Sequence, residues 1–176
     1  MMRITNAICL FLIVALVVGC GLPKEMDRDS NIKNTIELLS KKTQCDDAYT
    51  RIINIGFPVI PYLIENSSNT TVFEGSKIYN PASSLLVGKP AVGLVSLYLI
   101  DCIVMDKETP YLAPLLVTNE SSQKDRGEGA PVNCHQDIVQ AAKHYVKWWN
   151  RVKDIDSTQV PKVSPLVGTE FRWWGM

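Results

Sequence analysis

The chain has little of what nucleic-acid and metal sites require. Its 176 residues include two histidines, and 18 Lys and Arg residues balance 18 Asp and Glu residues, for a formal net charge of zero. A near-neutral chain gives no electrostatic basis for binding nucleic acid or an anionic membrane surface. We therefore expect no nucleic-acid partner.

Motifs of the common catalytic and cofactor sites are also missing. The sequence has no Gly-x-Ser-x-Gly motif, and Gly127-Glu128-Gly129 lacks the third glycine of a phosphate-binding loop. No Cys-x-x-Cys or His-x-x-x-His pair occurs, so the nearest metal ligands fall short of a zinc set: Cys134, His135, Asp137 and His144. We expect these four as solvated or helix-capping side chains, and we predict no metal, no cofactor and no enzymatic activity.

No apolar run is long enough for a membrane-spanning helix, and the least interrupted one lies at the N-terminus. Arg3 precedes an apolar stretch over residues 7–18, and Gly19 and Cys20 follow it. This stretch is short of the roughly 20 residues that a helix needs to span a bilayer. A charged start, a short apolar core and a small-residue end are typical of a secretory signal. We predict that residues 1–19 are a signal peptide that is removed.

Val17-Val18-Gly19-Cys20, at the end of this run, resembles the lipobox of bacterial lipoproteins. The resemblance implies that the Cys20 thiol receives a diacylglyceryl group and that the chain is cut just before it. A mature lipoprotein of this type carries three acyl chains, and each buried methylene contributes about 0.8 kcal/mol, so attachment would be effectively permanent. Residue 21 is Gly, not the Asp that commonly retains Gram-negative lipoproteins in the inner membrane. We therefore expect an outer-membrane lipoprotein that faces the periplasm.

An ordinary signal peptide with an incidental cysteine is the alternative to a lipobox. In a secreted eukaryotic protein, Asn66, Asn69 and Asn119 would be glycosylation acceptors. In a bacterium they are simply polar loop residues, which is the interpretation we favour.

Three cysteines remain once Cys9 leaves with the signal peptide and Cys20 is lipidated. The periplasm is oxidising, so we expect one disulfide and one leftover thiol. Connectivity cannot be read from the sequence. We predict that Cys45 pairs with Cys134, and that Cys102, inside an apolar helical pattern, is a buried free thiol.

The mature chain is predicted to be mainly α-helical. Apolar residues recur at spacings of three and four over residues 31–39, 46–55, 90–105 and 134–153. The third of these segments is apolar nearly all round, so we predict that it is the central buried helix. In the last segment the predicted apolar stripe includes Val146 and Trp149.

The helical segments define the predicted domain organisation. Residues 20–30 are polar and charged, and we predict that they form a tether between the lipid and the domain. Residues 31–153 form the helical domain, with a long loop over residues 67–89 and a second polar loop after residue 118. Residues 154–176 are predicted to be an extended tail that packs on the domain.

Residues 46–65 resemble one unit of a HEAT-like helical repeat. A first helix would end at Gly56, and a second, starting near Val59, would tolerate Pro58 and Pro61 in its first turn. Two strands over residues 57–64 are the alternative, which prolines three residues apart disfavour. HEAT-like surfaces mostly hold other proteins, so the resemblance implies protein binding. Because no third copy is evident, we expect a small irregular domain rather than a long solenoid.

All four tryptophans occur in two adjacent pairs, Trp148-Trp149 in the last predicted helix and Trp173-Trp174 in the tail. Exposed tryptophans are favoured anchors at protein interfaces, so we predict these four as partner-binding residues. The alternative is that the tail packs its tryptophans against the last helix.

Together these features predict a lipid-anchored, non-catalytic protein of the cell envelope that binds another protein, as a scaffold or interaction lipoprotein. One alternative is an immunity-type inhibitor of a toxin that acts in the periplasm, with the 67–89 loop plugging the toxin. Another is binding of a peptide or glycan by a Trp-rich surface. The sequence does not identify the partner.

Overall fold

The computed structural model describes residues 24–78, 89–108, 114–118 and 135–174. The predicted signal peptide, the lipidation residue Cys20, the tip of the first long loop and the second polar loop with Cys134 lie outside the described residues. The chain divides into two compact units, Met1–Asn31 and Ile32–Met176. Of the first unit, the structure describes residues 24–31, which are helical, with exposed side chains over residues 28–31. The described part of the predicted tether is therefore helical.

Helix α1 spans Lys24–Glu37 and leads into a 3-10 turn at Leu38–Ser40. In the second unit, its apolar spacing places Ile32, Ile36 and Leu39 in the core. These are the residues whose spacing of four and three predicts a helical stripe.

Helices α2 and α3 form a helical pair around a glycine. Helix α2 spans Cys45–Ile55, and it ends where Gly56 takes a positive φ of 70°. A 3-10 turn at Phe57–Val59 then leads into α3, Ile60–Glu65, with the two prolines near its start. The alternative of two strands over residues 57–64 is wrong, whereas the predicted helix–turn–helix is confirmed.

Helix α4, Val92–Met105, lies at the centre of the second unit. Twelve of its fourteen residues are buried, and it packs against α2, α3 and helix α5, defined below. The prediction of a central buried helix is confirmed. Within the part of the chain that the structure describes, no helix is long and apolar enough to cross a membrane.

The N-terminus of α4 is capped by the backbone of the first long loop. The N–H groups of Val92 and Gly93 donate to the carbonyl oxygens of Thr71 (2.7 Å) and Asn69 (2.8 Å). A Cβ atom at Gly93 would overlap the Ser67 carbonyl, so only glycine permits this approach. The loop thus supplies the acceptors that a capping side chain usually provides.

Helix α5 spans His135–Val152, close to the predicted range. Most of its buried residues are spaced alternately three and four residues apart: Ile138, Ala141, Tyr145, Trp148 and Val152. The predicted stripe was wrong at two positions. Trp148 rather than Trp149 lies on the fully buried face, and Val146 is 43% exposed.

The tail returns to the domain through a two-stranded antiparallel ribbon. Strand β1, Leu116–Thr118, pairs with β2, Phe171–Trp173, so that Leu116 lies opposite Trp173 and Thr118 opposite Phe171. Phe171 and Trp173 point into the core, as the period of two along a strand requires. The described fold is mainly helical, which confirms the predicted fold class.

Leu99→Asp tests the central position of α4. Leu99 is fully buried, and an unpaired buried charge costs several kcal/mol, so the variant is expected to lose its cooperative thermal transition. Thermal melts followed by circular dichroism measure this. Val146→Asp, at an exposed position of α5, is the control and should melt near the wild type. An unchanged melting temperature for Leu99→Asp would contradict the assignment.

Candidate functional site

The four tryptophans divide between the core and its edge. Trp148 is 6% exposed and Trp173 is fully buried, whereas Trp149 and Trp174 are half-buried. Trp149 packs against the main core, and Trp174 packs against the small cluster of Leu115 and Val117. The partner-binding prediction is therefore corrected for Trp148 and Trp173, which are core residues. A binding surface built from all four rings is not formed.

A buried polar cluster joins α4, α5 and β2. Asp101, Tyr145 and Trp173 are all fully buried. The Tyr145 hydroxyl donates a hydrogen bond to Asp101 Oδ2, and Trp173 Nε1 donates both to that oxygen (2.9 Å) and to the Tyr145 hydroxyl (3.0 Å). Burying a carboxyl group is costly unless hydrogen bonds compensate, and these donors provide that compensation.

Sequence reasoning missed this cluster, although one signal was present. Asp101 is the single charged residue in α4, whose other residues are almost all apolar. An acidic side chain in such a helix implies a buried donor. The two donors lie 44 and 72 residues further along the chain, and no local pattern indicates them.

A second buried contact involves the predicted free thiol. Cys102 is buried and free, as predicted, and its Sγ lies 3.5 Å from the Tyr49 hydroxyl. That hydroxyl donates to the Glu108 carbonyl oxygen at 2.6 Å. Burial raises the pKa of Cys102 to about 12 and also raises the pKa of Tyr49. The thiol is therefore protonated at neutral pH and is a poor nucleophile.

Cys45, at the start of α2, is also a buried free thiol in the structure. Its Sγ donates to the Lys42 carbonyl oxygen at 3.3 Å, and burial, followed by the neighbouring Asp46 charge, raises its pKa. Its predicted disulfide partner, Cys134, lies outside the described residues, so the pairing stays a prediction.

Asp46, in the first turn of α2, holds the first long loop. Its Oδ1 accepts hydrogen bonds from the backbone N–H groups of Ser76 (2.8 Å) and Lys77 (3.1 Å), and its Oδ2 accepts one from the Ser76 hydroxyl (2.8 Å). Partial burial opposes ionisation, but these hydrogen bonds outweigh it and lower the pKa of Asp46 below its ordinary value of 3.8. The loop is thus fixed to α2 just before its tip.

The residues considered as metal ligands do not come together within the described ranges of the chain. His144 lies 3.3 Å from Glu170 in a partly exposed pair. Across the described ranges, no group of three or more His, Cys, Asp or Glu side chains is placed to hold a metal ion. Cys134 lies outside these ranges.

Three exposed apolar side chains occur in the segment between α5 and β2. Val163 and Val167 are 50% and 59% exposed, and Ile155 is also exposed, whereas Ser164 is only 4% exposed. The Ser164 hydroxyl accepts a hydrogen bond from the Leu166 N–H, which keeps the polar group satisfied inside. Val163 and Val167 are therefore exposed near a buried serine, whereas Val160 and Leu166 of the same segment are buried in the usual way. We call Ile155, Val163 and Val167 the C-terminal apolar surface.

Residues 28–174 match a family described as a domain of unknown function (DUF4943). No curated protein and no solved structure matches the chain. The match covers all of the described core, from α1 to β2.

The Asp46 contacts predict a specific pH dependence. Because the folded-state pKa is lowered, the ionised form stabilises the fold above about pH 4, and this contribution is lost as the pH falls through the folded-state value. Asp46→Asn should therefore lower the free energy of unfolding at pH 6 by about 1 kcal/mol or less, since the carboxyl group is partly exposed, and by less at pH 3. Urea unfolding at both pH values measures this. Asp47→Asn, one residue away and exposed, is the matched control. An equal effect of Asp46→Asn at both pH values would contradict the proposed role.

Proposed function

The chain belongs to this family of unknown function, and we propose that it is a lipid-anchored protein of the bacterial cell envelope that binds another protein and catalyses no reaction. The lipobox-like Val17-Val18-Gly19-Cys20 supports the anchor. The C-terminal apolar surface supports the binding role and is the observation that carries it.

The anchor follows from sequence chemistry. A removable signal that ends in Gly-Cys presents a thiol for lipidation just after the cleavage point. Acyl chains on Cys20 would hold the protein at the membrane whatever the composition of the folded domain. In our proposal the protein lies on the periplasmic side of the outer membrane, because residue 21 is Gly rather than Asp.

Cys20→Ala should abolish the attachment of lipid to the protein. Without the thiol no lipid can be attached, so the variant is expected in the soluble fraction or as uncleaved precursor, and it should not incorporate labelled palmitate. Membrane fractionation and lipid labelling in a bacterial host measure this. Cys9→Ala, in the same apolar run, is the matched control and should leave both readouts unchanged. Continued labelled-lipid incorporation in Cys20→Ala would contradict the anchor.

The binding role is supported by the exposed apolar residues between α5 and β2. Exposed apolar side chains that occur singly are ordinary, but here three fall within thirteen residues beside a buried serine. A partner that covered Val163 and Val167 would remove their apolar area from water, which favours association. The HEAT-like resemblance of α2 and α3 supports the same class of function.

Val163→Lys with Val167→Lys tests the surface. Both side chains are at least half exposed, so the double variant should fold as the wild type does, yet bind a partner at least about tenfold more weakly, because a lysine ammonium would have to be desolvated. Affinity capture of the tagged mature protein from its own envelope, with quantitative mass spectrometry, identifies and quantifies the partner.

The control double variant is Val72→Lys with Val146→Lys, whose positions are exposed to a similar extent elsewhere. It should retain the partner at the wild-type level. Equal retention by both double variants would contradict the assignment to the C-terminal apolar surface.

An immunity-type inhibitor is the second candidate, and the fixed base of the first long loop favours it. Asp46 holds Ser76 and Lys77 against α2, so the described part of this loop has a fixed position on the domain. A single stoichiometric secreted hydrolase in the capture experiment would indicate this role, whereas envelope assembly proteins would indicate a scaffold.

A further inference from the structure

The site that the Trp173 side chain occupies has the features of a ligand pocket. The indole ring is fully buried, and Tyr98 meets it edge-on, with ring centroids 5.4 Å apart and planes at 89°. At one edge of the ring, two oxygen atoms from different helices converge on its N–H group, Asp101 Oδ2 from α4 and the Tyr145 hydroxyl from α5. Apolar walls with a few convergent polar atoms are typical of small-molecule sites.

We propose that Asp101 and Tyr145 form an indole-selective binding pocket, which the chain fills with its own Trp173, so that β2 acts as a strap closed on the helical body. The preference for indole follows from the N–H group. A ring without an N–H group, such as phenyl or indene, cannot donate to the two oxygens. Loss of a donor to buried acceptors is penalised more than loss of apolar contact alone.

The position of β2 depends on this pocket. The ribbon that it forms with β1 has three residue pairs, and an isolated two-stranded ribbon is marginal in water. Residues 153–159, which lead from α5 toward the strap, are exposed, and the backbone N–H groups of Lys153, Ile155 and Gln159 bond to carbonyl oxygens three or four residues earlier. Val160 and Leu166 are buried, so they keep this segment attached to the helices when the Trp173 side chain leaves the pocket.

Trp173→Ala opens the pocket, and added indole tests its selectivity. Indole should raise the melting temperature of this variant, and indene, a bicyclic ring of the same size with no N–H group, should bind at least about tenfold more weakly. The wild type, whose pocket is filled, should respond to neither compound. Thermal shift and isothermal titration measure both affinities. Equal affinities would show an apolar cavity without selectivity, and no binding by the folded variant would show that no pocket forms; either result overturns the proposal.

The same comparison serves if Trp173→Ala does not fold alone. Its refolding yield is then measured in indole and in indene, and indole alone should raise the yield. A yield that rises equally with both compounds, or with neither, overturns the proposal.

Trp173→Phe tests the strap separately, because it keeps a ring but removes the N–H donor. Native-state hydrogen exchange should become at least about tenfold faster at residues 171–173, with little change at α4. Trp174→Phe, at the adjacent half-buried position, is the matched control and should leave both regions near wild type. Equal acceleration in β2 and α4 would show that β2 opens only with the whole core, which overturns the strap.

Discussion

A helix as apolar as α4 can exist in water only when other elements cover all its sides. Val92–Cys102 is buried without a break, so no face is left for solvent. Helices α2, α3 and α5 and the turn at Asn66–Ser68 pack against it, and Trp173 of β2 reaches it from the tail. The hydrophobic effect therefore sets the architecture, and Asp101, the one buried carboxyl group among the described residues, specifies where the tail must meet the helix.

Local signals in the sequence predict the helical elements well. Gly56 ends α2 because it takes a positive φ, and the spacing of apolar residues marks α1, α4 and α5. Contacts between residues far apart in the sequence are harder to predict. The adjacent Trp148 and Trp149 are equally apolar, and the packing of α5 on the other helices decides which of them is buried. Strand β2 exists because β1 lies opposite it, and the sequence of the tail alone does not indicate that pairing.

The sites divide in the same way. The motif at Cys20 is local and can be read directly from the sequence, whereas Asp101, Tyr145 and Trp173 meet only in the folded chain.

The burial of the cysteines also bears on the proposed location of the protein. An oxidising periplasm exposes free thiols to disulfide exchange, which requires an accessible thiolate. Cys102 is buried and its pKa is raised, so packing in the folded domain protects this thiol from exchange. The pairing of Cys45 with Cys134 stays a prediction.

The backbone cap on α4 has a consequence for how this protein can vary. A capping side chain can be replaced by a single substitution, but the acceptors at Asn69 and Thr71 are main-chain atoms, placed by the path of residues 66–71. That path is possible because Gly93 has no side chain, and Asn66 reinforces it by donating to the Ser96 hydroxyl at 3.0 Å. A length change between α3 and residue 73 would shift these acceptors away from the helix. Insertions and deletions in related chains should therefore avoid residues 66–73, and Gly93 should persist among them even where the surrounding apolar residues are exchanged.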